Sequence, residues 1–211
     1  MMTKFLAGAV SALFLAGTAQ AQVTASIYTN QQAAAENATL AQQGTLGPAS
    51  ATTTVGVMNF NPSDSTGVST IGDFLNNPAG LDPSVASANI DNTYFVFTGQ
   101  LYLLAGANAL DLRYDDGVEL SIDGVTAWSD PDPTAATDNA FVYNTLTAGY
   151  HNFALSYGEC CTLPATLQFS VNGNYVGDVP EPATWAMMLL GFGAIGVAMR
   201  RRPKLALAQI A

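Results

Sequence analysis

The sequence has few basic residues, and its central part has almost none. The 211-residue chain contains six lysines and arginines against 16 acidic residues. Between residues 22 and 179 only Arg113 is basic, beside 15 of the acids, so this region has a formal charge of about −14. Nucleic-acid binding requires clustered cations that neutralise phosphates. We therefore expect no nucleic-acid partner.

Histidine is also scarce, because His151 is the sole one. A zinc site or a catalytic triad would need further ligands or a nucleophile near it, and the sequence offers neither in a recognisable context. We expect His151 to stand at the start of a strand, held by backbone hydrogen bonds. The sequence predicts a protein that is not an enzyme.

The N-terminus has the pattern of an export signal. Lys4 supplies a positive charge, residues 5–17 form an apolar run, and Ala19-Gln20-Ala21 is a small-residue cleavage site. This order is typical of a secretory signal peptide. We predict that residues 1–21 are a cleaved signal peptide.

The C-terminal part contains a second apolar run without charge, residues 183–199, followed by three arginines. Its 17 residues are close to the shortest length that spans a bilayer as a helix. Arginines after such a run favour a cytoplasmic position for that end. The pattern predicts a transmembrane helix with a basic stop.

The residues around this run resemble the PEP-CTERM sorting signal, in its PEPxxWA variant, over residues 179–204. The matching residues are Pro180, Glu181, Pro182, Trp185, Ala186, Arg200, Arg201 and Arg202. The resemblance implies a Gram-negative bacterium, transient anchoring in the inner membrane through the C-terminal helix, and an exosortase-type membrane protease as partner. It also implies a final location at the cell surface or in the extracellular matrix.

The first part of the exported region, residues 22–91, has a mixed pattern. We predict a strand at 23–28 and a helix at 30–43, with Asn30 as its N-cap. A β-branched segment follows at 52–60, and the Pro, Gly, Asn and Asp residues of 61–91 indicate loops.

From residue 92 to residue 178 the pattern is that of β-strands. Apolar and polar residues alternate in short segments, and turn residues such as Asp123-Gly124 separate them. The predicted strands are 94–104, 110–114, 118–122, 125–128, 141–146, 153–157 and 167–171. Strands at this spacing predict a mainly β fold, an antiparallel β-sandwich.

The segment Leu110–Gly124 contains Asp-Asp-Gly, an alternating strand and then Asp-Gly; Ala148-Gly149-Tyr150-His151 follows downstream. This ordered set resembles a PA14 domain, and the resemblance covers about residues 94–171.

Asp115 and Asp116 are the candidate metal ligands. Two adjacent carboxylates repel each other, and Ca²⁺, with its preference for hard oxygen ligands, can bridge them. In the sugar-binding branch of the PA14 family the matching pair chelates Ca²⁺, which coordinates sugar hydroxyls. Glu159 stands roughly where that branch has a third, asparagine ligand. The alternative is that both aspartates only make turn hydrogen bonds.

The sequence contains further candidate residues. Trp128 could stack on a sugar or cap the core. Cys160 and Cys161 are the only cysteines; in an oxidising compartment they could form a vicinal disulfide, bridge to another chain, or stay as buried thiols. Asp130, Asp132 and Asp138 are expected in a solvated loop.

Two functions follow from these patterns. The first is an exported binding module that recognises extracellular polysaccharide, with Ca²⁺ as candidate cofactor. The second is a structural matrix protein of the same fold without a specific ligand. A glycoside hydrolase is disfavoured, because adjacent carboxylates on one turn cannot flank a glycosidic bond at the required separation.

Overall fold

A computed structural model describes residues 22–177, with residues 190–193 and 195. The predicted signal peptide and the PEPxxWA motif lie outside the described residues, as does most of the predicted transmembrane helix. Among the residues described, no helix is long and apolar enough to cross a membrane. Residues 22–177 belong to one compact unit, which contains the strands and the candidate site.

Eleven strands and four short helical segments make up this unit. The strands are β1 Val23–Tyr28, β2 Ala51–Val55, β3 Asn59–Phe60, β4 Thr93–Leu103, β5 Gly106–Tyr114, β6 Val118–Ile122, β7 Val125–Asp130, β8 Thr137–Thr145, β9 Gly149–Glu159, β10 Leu167–Val171 and β11 Asn174–Tyr175. The α-helices are α1 Gln32–Ala35, α2 Ile71–Phe74 and α3 Pro83–Ala86, and a 3₁₀ helix spans Leu40–Thr45.

The strands form two antiparallel sheets. Sheet A has the order β2-β1-β4-β9-β6-β7, and sheet B has the order β11-β10-β5-β8 with β3 beside β10. Alternate residues of both sheets enter one hydrophobic core, as expected for a sandwich. The prediction of a mainly β, antiparallel architecture is confirmed.

The sandwich takes strands from both sides of residue 92, where the sequence pattern changes. β1 pairs with β4 over residues 24–28 and 94–98, and β2 extends the same sheet. The strand predicted at 23–28 is therefore present and belongs to the sandwich itself.

The prediction of a helix at residues 30–43 is wrong. Asn30 has a φ of 57° and does not cap a helix, and the segment forms only α1 and the 3₁₀ helix. Tertiary packing decides its shape, since Ala34 and Ala38 contact Tyr28 and Tyr94 on the outer face of sheet A. An alanine-rich segment has no apolar stripe that would hold a longer helix there.

The region predicted as loops, 61–91, contains two single-turn helices with side-chain caps. Thr70 accepts a hydrogen bond from the Asp73 N–H at the start of α2. Asp82 does the same for the Ser84 N–H of α3, with Pro83 at the first helical position. These caps satisfy N–H groups that such short helices leave free.

Aromatic side chains fill the centre of the core. Phe74 lies between Phe60, Phe95 and Tyr157, with ring centroids 5.3 to 5.5 Å apart. Pairs at this separation add to the free energy of burial. They fix β4 and β9 against α2 and hold the end of the sandwich that carries the candidate site.

Candidate metal and ligand site

The turn between β5 and β6 carries Asp115, Asp116 and Gly117. The Asp115 N–H donates to the Thr166 carbonyl at 3.1 Å, and the Asp116 N–H donates to the Thr134 carbonyl at 2.7 Å. Both aspartates are thus held by their backbones to neighbouring loops, which leaves their carboxylates available for other contacts.

Glycine at position 117 is required by a close approach. The left-handed φ of this turn belongs to Asp116, at 63°, and not to Gly117. A Cβ on residue 117 would lie 2.1 Å from the carbonyl oxygen of Pro131. Only glycine lets the loop after β7 pack against the aspartate pair.

Three loops enclose a depression around this pair, with a volume of about 360 Å³. Asp115 and Asp116 are each only 6% exposed at its base. The other lining residues are Pro133, Thr134, Ala135, Cys160, Cys161, Thr162, Leu163 and Pro164. The depression is open and carries polar and apolar groups, as a site for a small polar ligand does.

Burial raises the pKa of Asp115 to about 6, and the nearby Asp64 adds to the shift. Burial likewise raises the pKa of Asp116 to about 6, with further contributions from Asp115 and Asp91, although the Cys160 N–H donates to its Oδ2 at 2.7 Å. Burial thus disfavours the charged form of both carboxylates. A hard divalent cation would stabilise that form, so the donor chemistry fits Ca²⁺.

Glu159, the predicted third ligand, is fully buried and does not line the depression. Its Oε2 accepts a hydrogen bond from the Tyr157 hydroxyl at 2.6 Å, while its Oε1 has no partner among the described residues. Burial raises its pKa to about 9. It therefore carries a proton at neutral pH, and a protonated acid is a poor Ca²⁺ ligand.

The predicted set of three carboxylates is not assembled in this structure. Within residues 22–177 no three His, Cys, Asp or Glu side chains are arranged to hold a metal ion together. Of the three predicted carboxylate ligands, only Asp115 and Asp116 line the depression.

Trp128 caps the core and takes no part in the depression. Its ring stacks on Phe141 with centroids 5.2 Å apart, and its Nε1–H donates to the Tyr114 hydroxyl at 3.2 Å. This hydroxyl also donates to Asp130 at 2.9 Å and accepts from Asn139. Of the two roles considered for Trp128, the structure supports core capping and not sugar stacking at the aspartate pair.

Cys160 and Cys161 are joined in a vicinal disulfide, the first of the three alternatives left open by the sequence. Cys160 is buried, and its N–H is the donor to Asp116. Cys161 is exposed at the rim. The disulfide thus ties one wall of the depression to the aspartate pair.

Asp64, Asp130, Asp138 and His151 have side-chain partners away from the depression. Asp138 and Asp64 form an ion pair with Arg113, and Asp130 accepts from Tyr114, so the acids of the 129–139 segment do not converge on one site. His151 is held by the Asp123 carboxylate, 2.6 Å from its Nδ1, and not by backbone groups as we predicted. This contact lowers the pKa of Asp123.

Two parts of this site could not be predicted from the residue pattern. Thr134 and its neighbours were expected in a solvated loop, yet the Thr134 carbonyl anchors Asp116. Leu163 and Pro164 line the opposite side and carry no motif. Their contributions come from backbone atoms and shape, which a residue pattern does not encode.

The fold is that of PA14 domains. The PA14 domain of the MpAFP antifreeze protein matches with a TM-score of 0.58 and 17% identity, over 75% of this chain and 93% of that one. A PA14 sugar-binding domain from an RTX adhesin matches with a TM-score of 0.58 and 20% identity, over 74% and 94%. At these identities the similarity establishes the fold.

The C-terminal part matches the model of the PEP-CTERM protein-sorting motif over residues 178–202. No curated protein sequence matches the chain significantly. The protein therefore combines an antiparallel sandwich of PA14 fold with a C-terminal PEP-CTERM sorting motif, as the two sequence resemblances implied.

Proposed function

We propose that this protein is exported, sorted by an exosortase-type protease to the cell surface or extracellular matrix, and binds carbohydrate there through its PA14-like domain. In this proposal Ca²⁺ is held by Asp115 and Asp116 and presents open coordination positions to sugar hydroxyls. Glu159 has no direct role as a ligand. The protein performs no catalysis.

The aspartate pair at the base of the depression is the observation that carries the proposal. Two carboxylates are 6% exposed, adjacent and joined to rigid backbone partners, and burial, which raises their pKa values to about 6, disfavours their charged form. Ca²⁺ takes six to eight oxygen ligands, so two carboxylates leave positions for water and for ligand hydroxyls. One of the fold neighbours is a sugar-binding domain of an adhesin, which supports the same function here.

The structural matrix protein without a ligand remains the second candidate. It is supported by one finding: among the described residues, no third acidic, His or Cys side chain lies beside the pair to complete a metal site. Under this alternative the aspartates are turn residues that stay partly protonated, and the acidic surface keeps the exported protein soluble.

Calorimetric titration of Ca²⁺ into the metal-stripped protein separates the two. We expect a dissociation constant of about 10⁻⁵ to 10⁻³ M, between those of sensor sites and extracellular modules. The Asp115→Asn, Asp116→Asn double variant should show no binding. Asp111→Asn, Asp132→Asn removes the same charge elsewhere and should bind as the parent does. No heat in the parent would favour the matrix protein.

A further inference from the structure

A second surface lies at the opposite end of β4 and β9, on the outer face of sheet A. Thr93 pairs with Glu159 at the end that carries the aspartate site, whereas Tyr102 pairs with Tyr150 at the other end. Tyr102 lies nine positions after Thr93 along β4, a distance of about 30 Å at the usual rise per residue. The two surfaces cannot share one small ligand.

Two tyrosine rings stand exposed at this end. Tyr102 and Tyr150 are 52% and 41% exposed, and their ring centroids lie 5.4 Å apart in an edge-to-face arrangement. The segment that covers Tyr94 and Val96 on the same face does not reach them. An exposed aromatic pair offers apolar ring faces next to hydroxyl groups, a combination typical of ligand-binding surfaces.

An amide pair forms the next row of the same face. The Gln100 Nε2–H donates to Asn152 Oδ1 at 3.0 Å. An amide carries one acceptor oxygen and two donor hydrogens, so the Gln100 carbonyl oxygen and the Asn152 amino group remain for other partners. Together they present an acceptor and a donor side by side, which matches two neighbouring sugar hydroxyls.

This part of the face carries no charge, in contrast to the rest of the exported region. The rows formed by Thr98, Gln100, Asn152 and the two tyrosines contain no ionisable carboxylate or amine. Asp123, at the border, is engaged by His151 and by the Asn152 N–H. In a region with a formal charge of about −14, a neutral face favours an uncharged ligand.

We propose that Gln100, Tyr102, Tyr150 and Asn152 form a second carbohydrate-contact surface, which binds a neutral, extended polysaccharide without Ca²⁺. One of the two rings, which stand edge to face, covers the C–H face of a pyranose, and the amide pair bonds sugar hydroxyls beside it. The tyrosine row and the amide row follow one another along β4 and β9, so they can contact successive residues of an extended chain. This surface goes beyond the calcium site and does not depend on it.

Retention of the full-length chain on amorphous cellulose, a neutral β-1,4-linked glucan, tests the proposal. The measurement is made with excess chelator and in a polyoxyethylene detergent, which has no sugar headgroup. We expect retention of the parent and at least a tenfold loss of affinity in Tyr102→Ala, Tyr150→Ala. The double variant Tyr102→Phe, Tyr150→Phe keeps the rings and should lose no more than about half of the affinity.

Two further variants make the result specific. Tyr175→Ala removes an exposed tyrosine of sheet B and should bind as the parent does, and Asp115→Asn, Asp116→Asn should also be retained under chelator. Absence of retention of the parent would overturn the proposal. An equal loss of affinity in Tyr175→Ala would also overturn it. A change from dimer to monomer in Tyr102→Ala, Tyr150→Ala, seen by analytical ultracentrifugation, would assign the face to contact between copies and overturn it as well.

Discussion

The two ends of the β4–β9 strand pair differ in almost every physical property. At one end three acids are buried, Asp115, Asp116 and Glu159, and burial raises the pKa of each. At the other end exposed tyrosines and amides form a face without charge. The same ladder of backbone hydrogen bonds supports both ends. One fold thus carries two ends of different chemistry, and we propose that each end takes a different ligand.

The ends also differ in how tightly their backbones are packed. Gly117 lies under the Pro131 carbonyl, and Gly158 lies equally close to the Ala35 carbonyl, whereas Gly149 has no heavy atom near its missing Cβ. Loops press on the acidic end from two sides and leave the neutral end open. The acidic end is thus a preformed depression, and the neutral end is an open surface.

The largest effect is expected from a methyl group at the acidic end. Gly117→Ala places a Cβ 2.1 Å from a backbone oxygen, which forces the 131–135 loop away from the aspartate pair. We expect a loss of about 3 kcal/mol or more in the free energy of unfolding, measured by urea denaturation. Gly149→Ala, at the neutral end, should change it by less than about 1 kcal/mol. Similar losses in both variants would show that the ends do not differ in packing.

The second effect is a pH dependence of stability caused by the buried Glu159. The pKa of Glu159 is raised to about 9 in the folded protein, above its unfolded value, so folding holds a proton that the unfolded chain releases. The stability contributed by this proton is fully present below the unfolded pKa and is lost as pH rises toward 9, with a slope of at most about 1.4 kcal/mol per pH unit.

Glu159→Gln keeps the shape of this side chain and removes its titration. We expect the free energy of unfolding of the variant to exceed that of the parent increasingly between pH 5 and pH 9. Denaturant unfolding across this range measures the difference. Glu36→Gln, which changes an exposed glutamate, is the matched control. Parallel pH profiles for Glu159→Gln and the parent would mean that Glu159 is ionised in the folded protein.

The third effect comes from the aspartate pair itself. Both pKa values are raised from 3.8 to about 6, so without metal the pair costs stability as pH rises from about 4 to about 6. Asp115→Asn, Asp116→Asn should therefore raise the melting temperature of the metal-free protein at pH 7, by at least about 5 °C.

With Ca²⁺ the parent should melt at a higher temperature than the double variant, because a ligand that binds only the folded state stabilises that state. The parent should gain melting temperature on addition of Ca²⁺, and the double variant should not. Thermal unfolding with chelator and with millimolar Ca²⁺ measures both. If the metal-free double variant melts below the parent, the carboxylates contribute more as turn acceptors than they cost as buried charges.

Much of the fold could be predicted from local pattern. The alternation at Leu110, Leu112 and Tyr114 and the Asp123-Gly124 turn correctly indicated strands and a hairpin, since side chains of half-buried strands have a period of two. Residues 30–43 could not be predicted in this way. Their conformation depends on contacts with Tyr28 and Tyr94, and Tyr94 is distant in sequence.

The candidate site was predictable only in part, for a similar reason. The sequence placed Asp115 and Asp116 correctly at the end of a strand. It could not show that Glu159 turns toward Tyr157 inside the core, or that Trp128 packs on Phe141. Side-chain direction at a strand end depends on which neighbour fills the adjacent space, and this is decided by packing between elements.

A glycan array tests our proposal that the acidic end binds sugar through Ca²⁺. The fluorescently labelled protein is applied once with millimolar Ca²⁺ and once with chelator, beside Asp115→Asn, Asp116→Asn and Tyr102→Ala, Tyr150→Ala. We expect a set of glycans that is bound with Ca²⁺, lost with chelator, lost in the aspartate variant and kept in the tyrosine variant. Binding that is identical with Ca²⁺ and with chelator, or no binding at all, would show that the proposal is wrong.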